Sequence, residues 1–251
     1  MSANHKAQVV ALLKSFETGD SGPTIAINPK KYIQHNLAAT DGLAGLTGLL
    51  EALPKGSVKV RTVRVFEDGD YVVAHTEYNF FGPKIGFDIF RFENGLIVEH
   101  WDNLQETPEK PNPSGRTLID GPTIASDLDK TQANKALVKR FVEDVLVNGF
   151  LDRLPSYIDG ENYLQHNPQI ADGASNLKAA MEAMAKAGMD VKYDRIDKVL
   201  GEGNFVLVVS QSNSTAFYDL FRVQNGKVAE HWDVVEPIPP RSEWKNGNGK
   251  F

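Results

Sequence analysis

Apolar residues recur at helical spacing twice in this chain, and each time the same order of elements follows. Val9, Val10, Leu12, Leu13 and Phe16 form a stripe near the start, and Leu137, Val138, Phe141, Val142 and Val145 form its counterpart. Spacings of three and four residues predict amphipathic helices packed on a core. A second helical pattern comes next, LAGLTGLLEAL in the first half and NLKAAMEAMAKAG in the second. Strand-like runs follow: VKVRTVRVF, YVVAHTEYNF, GFDIFRF and LIVEHWDNL, then VKYDRIDKVL, FVLVVSQS, AFYDLFRV and KVAEHWDVV. Helices first and an antiparallel sheet afterwards make each half an α+β unit.

The halves are copies. Tyr32-Ile33-Gln34-His35-Asn36 returns as Tyr163-Leu164-Gln165-His166-Asn167, and the DxFRxxNGxxxEHWD segment from Asp88 to Asp102 returns from Asp219 to Asp233 at the same offset. A fixed long-range offset is the mark of a duplicated domain. Between the copies, 106–130 is polar and turn-rich and holds Pro108, Pro111, Pro113 and Pro122, so it reads as a linker whose Leu118-Ile119 pair packs. The expected organisation is 1–105 for the first copy, 106–130 for the linker, 131–236 for the second copy and 237–251 for a tail outside the second core.

Composition then narrows the function. The chain has 251 residues and a net charge of -6, with no clustered Lys/Arg run, so neither nucleic acid nor an anionic membrane is an expected partner. A small-molecule ligand is. With no cysteine there are no disulfides, thiolate nucleophiles or Cys-ligated metals. The N-terminal stripe is broken by Lys, Glu and Asp, which reads as an amphipathic helix and predicts a cytoplasmic protein. GxSxG, P-loop and GxGxxG signals are absent.

The dipeptides Asn94-Gly95 and Asn225-Gly226 predict tight hairpins, because both turn positions need positive φ. Counting outward from a two-residue turn puts Phe90 opposite Glu99 and Asp88 opposite Trp101. Alternation then groups Asp88, Phe90, Glu99 and Trp101 on one face, and Arg91, His100 and Asp102 on the other. Asp88 and Glu99 read as carboxylates among aromatics, where desolvation raises a pKa toward useful acid-base values. His100 and Asp102 read either as a base with its orienting carboxylate or as a structural ion-pair network. His35 and His75 are the leading acid-base pair of the first copy, with Asp88 or Asp102 tuning or replacing them; His166, Asp219 and Asp233 are the second copy's counterparts. His75 has Val209 at its equivalent place, which makes the copies unequal. Tyr32, Trp101, Tyr163 and Trp232 are candidate ligand-lining aromatics, joined by Glu99 and Glu230, against the plain alternative that they are core. The His-x-Asp pair is too weak a pattern to predict a metal.

The order helix, helix, YxQHN, helix, strands and DxFRxxNGxxxEHWD resembles the SnoaL-like polyketide cyclase and predicted aldol-condensation branch of the nuclear transport factor 2-like superfamily, in two tandem copies. That resemblance implies a cone-shaped α+β barrel in each half, the halves packed as an intramolecular pseudo-dimer, so a monomer with higher oligomers left open. It also implies a pocket, no cofactor, and acid-base chemistry of cyclase, isomerase or hydratase type by pocket His and Asp groups. His35 and His166 match the branch's YxQHN histidine, and Asp102 and Asp233 its HWD aspartate. A further acid expected four residues after the Trp is Gln105 in the first copy and Glu236 in the second. The rival reading is a non-catalytic ligand-binding or scaffolding protein of the same fold.

Overall fold

A computed structural model describes residues 4–54, 56–188 and 192–251. The chain divides into two compact units, Met1–Thr107 with Glu236–Phe251, and Pro108–Val235. The segment read as a linker thus belongs to the second unit, and the tail belongs to the first.

In the first unit, α1 (His5–Thr18) starts where the Asn4 side chain accepts the Ala7 N–H and stops at Gly19, whose φ of 72° lets its N–H cap the Ser15 carbonyl. The short strand β1 (Ile33–Gln34) and α2 (Gly42–Ala52) precede four long strands: β2 (Lys59–Asp68), β3 (Tyr71–Asn79), β4 (Pro83–Glu93) and β5 (Leu96–Glu106). The second unit repeats this with α3 (Thr131–Phe141), the single turn α4 (Leu154–Tyr157), β6 (Leu164–Gln165), α5 (Ala174–Lys186), and strands β7 (Arg195–Glu202), β8 (Phe205–Ser212), β9 (Thr215–Gln224) and β10 (Lys227–Pro237). Val191, placed at the start of one predicted strand, lies outside the described residues.

Each unit holds one five-stranded sheet, ordered β1-β5-β4-β3-β2 and β6-β10-β9-β8-β7. The α+β reading holds in both copies. Val9, Leu12 and Leu13 from α1 and Leu46 from α2 bury against Val60, Val72, Ala74, Phe90 and Ile97 of the sheet. Val138, Phe141, Val142, Leu177 and Met181 do the same against Val206, Val208, Phe221 and Val228.

Asn94-Gly95 and Asn225-Gly226 all have positive φ, between 52° and 78°, as the tight turns require. The register counted from the first turn fails beyond it. Phe92 pairs with Ile97 but Arg91 pairs with Glu99, so Val98 is an extra residue in β5. This bulge moves every later pair by one: Phe90 faces His100, Ile89 faces Trp101 and Asp88 faces Asp102. Asp88 and Phe90 therefore share a face with His100 and Asp102, and Arg91 shares the other with Glu99 and Trp101.

Candidate functional site

The two repeated motifs are neighbours in space. Strand β1 runs parallel to β5 with Ile33 beside Glu99 and Gln34 beside His100, and β6 runs parallel to β10 with Leu164 beside Glu230 and Gln165 beside His231. Two alternating strands side by side split both motifs into an inner set and an outer set.

The inner set of the first unit is Tyr32, Gln34, Asn36, Asp88, His100 and Asp102, all lining a cavity of about 90 Å³ between the sheet and helices α1 and α2. In the second unit Tyr163, Gln165, Asn167, Asp219, His231 and Asp233 line a cavity of about 420 Å³ whose remaining wall is mostly apolar, including Phe141, Ile170, Met181, Met184 and Phe217. Only the larger has the size usual for a drug-sized ligand.

Hydrogen bonding orders each inner set. Gln165 Oε1 accepts from the His166 and Asn167 backbone N–H groups at 2.9 Å, so the atom it turns toward His231 Nδ1, 2.9 Å away, is an acceptor. Nδ1 must then carry a proton. His231 Nε2 lies 2.9 Å from Asp219 Oδ1, a contact that needs one shared proton, as imidazolium with carboxylate or imidazole with carboxylic acid. Tyr193 Oη donates to the other Asp219 oxygen at 3.0 Å. The first unit has the same chain: Gln34 Oε1 to His100 Nδ1 at 2.9 Å, His100 Nε2 to Asp88 Oδ1 at 3.1 Å, and Tyr78 Oη donating to Asp88 Oδ2.

The two tyrosines come from non-equivalent places, Tyr78 from the end of β3 and Tyr193 from just before β7. Tyr193 is held by its N–H on the carbonyl of Leu146, in the wide π-helical turn Val142–Val147 that ends the α3 helix.

The second carboxylates differ between units. Asn167 Nδ2 donates to Asp233 Oδ2, whereas the buried Asp233 Oδ1 has no hydrogen-bond partner among the described residues. Asn36 holds Asp102 in the same way, but Lys250 Nζ stands 3.7 Å from Asp102 Oδ1 and 2.5 Å from Glu236 Oε2.

Burial pushes the Asp233 carboxyl above the usual range; the His231 charge opposes this and Asp219 adds to it. Burial also dominates at Asp88, which rises despite the His100 hydrogen bond. For His231, burial would lower the imidazole, but the hydrogen bond and charge of Asp219, with Asp233, outweigh it and hold the ring above its ordinary value. Tyr163 and Tyr193 are raised, by burial first and by the neighbouring Asp219 and Asp233 charges, so both stay protonated.

Asp219, His231 and Asp233 each bring one ligand-type atom to within 4.8 Å of the others, as do Asp88, His100 and Asp102. Both ring nitrogens of His231 are already engaged, by Gln165 and Asp219, so in this geometry the histidine has none to offer a metal.

The outer sets hold most of the remaining predicted residues, and none of them lines either cavity. His35 stacks on Trp101 with ring centroids 4.6 Å apart, and its Nε2 meets Glu99 at 3.0 Å, while Arg91 meets the other Glu99 oxygen at 2.6 Å. His166, Trp232, Glu230 and Arg222 repeat this at 4.7, 2.8 and 2.6 Å. For Glu230, burial would raise the carboxyl, but His166 and Arg222 together hold it below its ordinary value. Segments far along the chain cover both histidines: His35 Nδ1 meets the Gly249 carbonyl, and His166 Nδ1 meets that of Thr117. His75 is fully buried, stacked on Phe87 and 3.1 Å from Arg64 Nη1. The expected His35/His75 acid-base pair is therefore corrected: alternation turns His35 to the outer face, and His75 is sandwiched in the sheet's packing. Glu99, Trp101, Glu230 and Trp232 leave the ligand-lining list for the same reason, whereas Tyr32 and Tyr163 stand at the cavity walls.

Sequence reasoning missed Gln34, Gln165, Asn36 and Asn167, although their i, i+2 spacing with Tyr32 and Tyr163 carried the signal. It missed Tyr78, Tyr193 and Lys250 because none occupies a repeated position.

No helix among the described residues is long and apolar enough to cross a membrane. No family model and no curated protein matches the chain. Among solved structures, it is similar to a candidate SnoaL-like polyketide cyclase from Jannaschia sp. CCS1, at 16% identity over 42% of this chain and 89% of that one, with a TM-score of 0.35. An NTF2-like protein from Cytophaga hutchinsonii matches at 13% identity over 42% of this chain and 93% of its own, TM-score 0.36. An LEH-like epoxide hydrolase of M. tuberculosis matches at 18% identity over 40% and 81%, TM-score 0.35. Each neighbour is thus matched over most of its own length and over about two fifths of this chain.

Proposed function

We propose that this protein is a small-molecule enzyme whose second unit removes a proton from carbon beside a carbonyl, with Asp233 as the base. The observation that carries the reading is Asp233: the residue lines the 420 Å³ cavity, and its buried Oδ1 has no hydrogen-bond partner among the described residues. Its raised pKa makes it a stronger base than an exposed aspartate, and Asn167 on Oδ2 fixes its direction. The substrate proton passes to Oδ1. The enolate oxygen that forms is met by Tyr163, whose hydroxyl accepts from Gln165 Nε2 at 3.3 Å and so has its own proton to give. The His231–Asp219 pair beside Asp233 offsets the developing negative charge. From that enolate, attack on a second carbonyl gives an aldol-type ring closure, reprotonation elsewhere gives an isomerase, and loss of a β-hydroxyl gives a dehydration.

The substrate this cavity suits is largely apolar and carries its carbonyl at one end. A carboxylate-bearing substrate is disfavoured, because two carboxyl groups, Asp219 and Asp233, stand at that end with a single histidine, His231, and among the described residues no Lys or Arg lines the wall. The second reading, ligand binding without turnover, is favoured by one observation, that both His231 nitrogens are occupied.

Deuterium incorporation separates the two. A panel of apolar ketones and β-keto esters incubated in D₂O with the protein is expected to exchange α-protons faster than buffer alone, and Asp233→Asn should remove that gain. Saturable binding of the panel with exchange no faster than in buffer would leave the binding reading standing and the enzyme reading refuted.

A further inference from the structure

We infer that the first unit holds a second site of the same kind, scaled to a carbonyl compound of only a few heavy atoms and held inactive by Lys250. The inference rests on the reading of Asp233 above. Every inner-set group of the second unit has its counterpart in the first: Tyr32 for Tyr163, Gln34 for Gln165, Asn36 for Asn167, Asp88 for Asp219, His100 for His231 and Asp102 for Asp233. A merely structural remnant would not need to keep the whole hydrogen-bonded chain from Gln34 through His100 and Asp88 to a tyrosine hydroxyl, yet it is complete. Tyr78 supplies that hydroxyl from a position the second unit does not use.

Two things differ. The first is space. Leu49 stands where the second unit has Ala180, and Tyr78 and Phe80 enter the wall, leaving about 90 Å³ against about 420 Å³. That is on the order of three liquid-water volumes, which limits any occupant to a few heavy atoms.

The second is charge. Segment 236–251 lies along the first unit, with Asn246 Nδ2 donating to the Asn36 and Ala39 carbonyls and Asn248 Nδ2 to the Gln34 carbonyl and the Asp41 carboxylate. These bonds bring in Lys250, which is 95% buried, and set its ammonium 3.7 Å from the Asp102 oxygen equivalent to the free oxygen of Asp233. An ammonium at that distance, away from water, ion-pairs the carboxylate oxygen that the second unit leaves unpartnered, and so competes with a substrate for it. The corresponding segment of the second unit brings its cation elsewhere: Arg116 pairs with Asp172 at 2.9 Å, and the buried Asp233 Oδ1 has no partner among the described residues.

The test uses the full chain carrying Asp233→Asn, which silences the second unit, with acetone in D₂O as the probe. Adding Lys250→Met should raise acetone exchange at least tenfold over Asp233→Asn alone, and adding Asn248→Ala, which loosens the segment without touching Lys250, should raise it in the same direction. Exchange that stays at the Asp233→Asn level in both double variants, each melting as one folded species, overturns the inference. The contact itself has a readout independent of activity. In wild type, ¹⁵N-labelled lysine should give a slowly exchanging Nζ ammonium resonance that vanishes in Lys250→Met and shifts in Asp102→Asn. If wild type exchanges nothing, the Asp233 reading has failed, and this resonance alone decides the lock: no such signal, or one indifferent to Asp102→Asn, refutes it.

Discussion

Gln165→Leu tests whether the inner set is organised by one amide oxygen. Gln165 is 1% exposed, and its Oε1 accepts from the His166 N–H, the Asn167 N–H and His231 Nδ1–H, each at 2.9 Å. Leucine fills similar volume but leaves two donors without this acceptor, the buried His231 Nδ1–H and the part-buried Asn167 N–H, while the His166 N–H keeps the His231 carbonyl at 2.9 Å. At about 1–3 kcal/mol for each donor left unsatisfied, and allowing for relaxation, the loss should be about 2–5 kcal/mol. Urea unfolding followed by fluorescence of Trp232, which is fully buried in the same unit, reads it directly. Gln165→Glu keeps an oxygen in place and should lose distinctly less. The imidazole also loses what fixes its tautomer, so α-proton exchange per folded molecule should fall by about ten- to a hundred-fold in the leucine variant. A Gln165→Leu loss below about 1 kcal/mol, or equal losses for Leu and Glu, would refute the assignment of that oxygen as the common acceptor.

Other expectations follow from the same geometry. His166→Gln breaks the stack on Trp232 and the Glu230 contact, so it should cost about 1–3 kcal/mol in unfolding experiments yet leave exchange per folded molecule within about twofold, since His166 faces away from the cavity. Gly121→Ala should destabilise the second unit by about 1–3 kcal/mol, because Gly121 has φ +92° and a Cβ there would sit 2.5 Å from Glu230 Oε1 and 2.9 Å from Trp232 Cζ2; thermal melting checks it. The pH dependence of stability has two opposed parts. The His231 pKa is raised on folding, so its contribution is complete below the unfolded histidine value and is lost as pH rises through the folded one; His231→Asn should flatten that alkaline decline. The Glu230 pKa is lowered on folding, so its contribution is present above the unfolded glutamate value and is lost as pH falls through the folded one, an acid-side loss that Glu230→Gln should remove.

Most of the architecture was legible because its signals are local. Helical stripes, alternation and the Asn-Gly turns each act within a few residues, and duplication doubled every one of them. The site was legible in part. Alternation correctly separated Glu99 and Trp101 from His100 and Asp102, yet the pairing across β4 and β5 came out inverted, because a bulge at Val98 leaves no mark in a count outward from the turn. His35 looked chemical because histidine in a polar-aromatic motif usually draws attention. Only the parallel pairing of β1 with β5 shows that Gln34 and Asn36, not His35, share the face of His100 and Asp102. The tail that holds the NGNGK stretch read only as an extension outside the second core, with no place of its own. In the fold the side chains of Asn246 and Asn248 instead reach backbone carbonyls more than two hundred positions earlier, a contact no local pattern encodes.

If Asp233 of the second unit does the chemistry, its ion-paired counterpart Asp102 should be dispensable. Comparing Asp233→Asn with Asp102→Asn in the same deuterium-exchange assay, on whichever ketone or β-keto ester of the panel wild type turns over fastest, tests it most directly. Asp233→Asn should lose about a hundredfold or more, in the range of removing a catalytic base, and Asp102→Asn should change by no more than about twofold. Loss of exchange in Asp102→Asn with Asp233→Asn unaffected would contradict that role for Asp233.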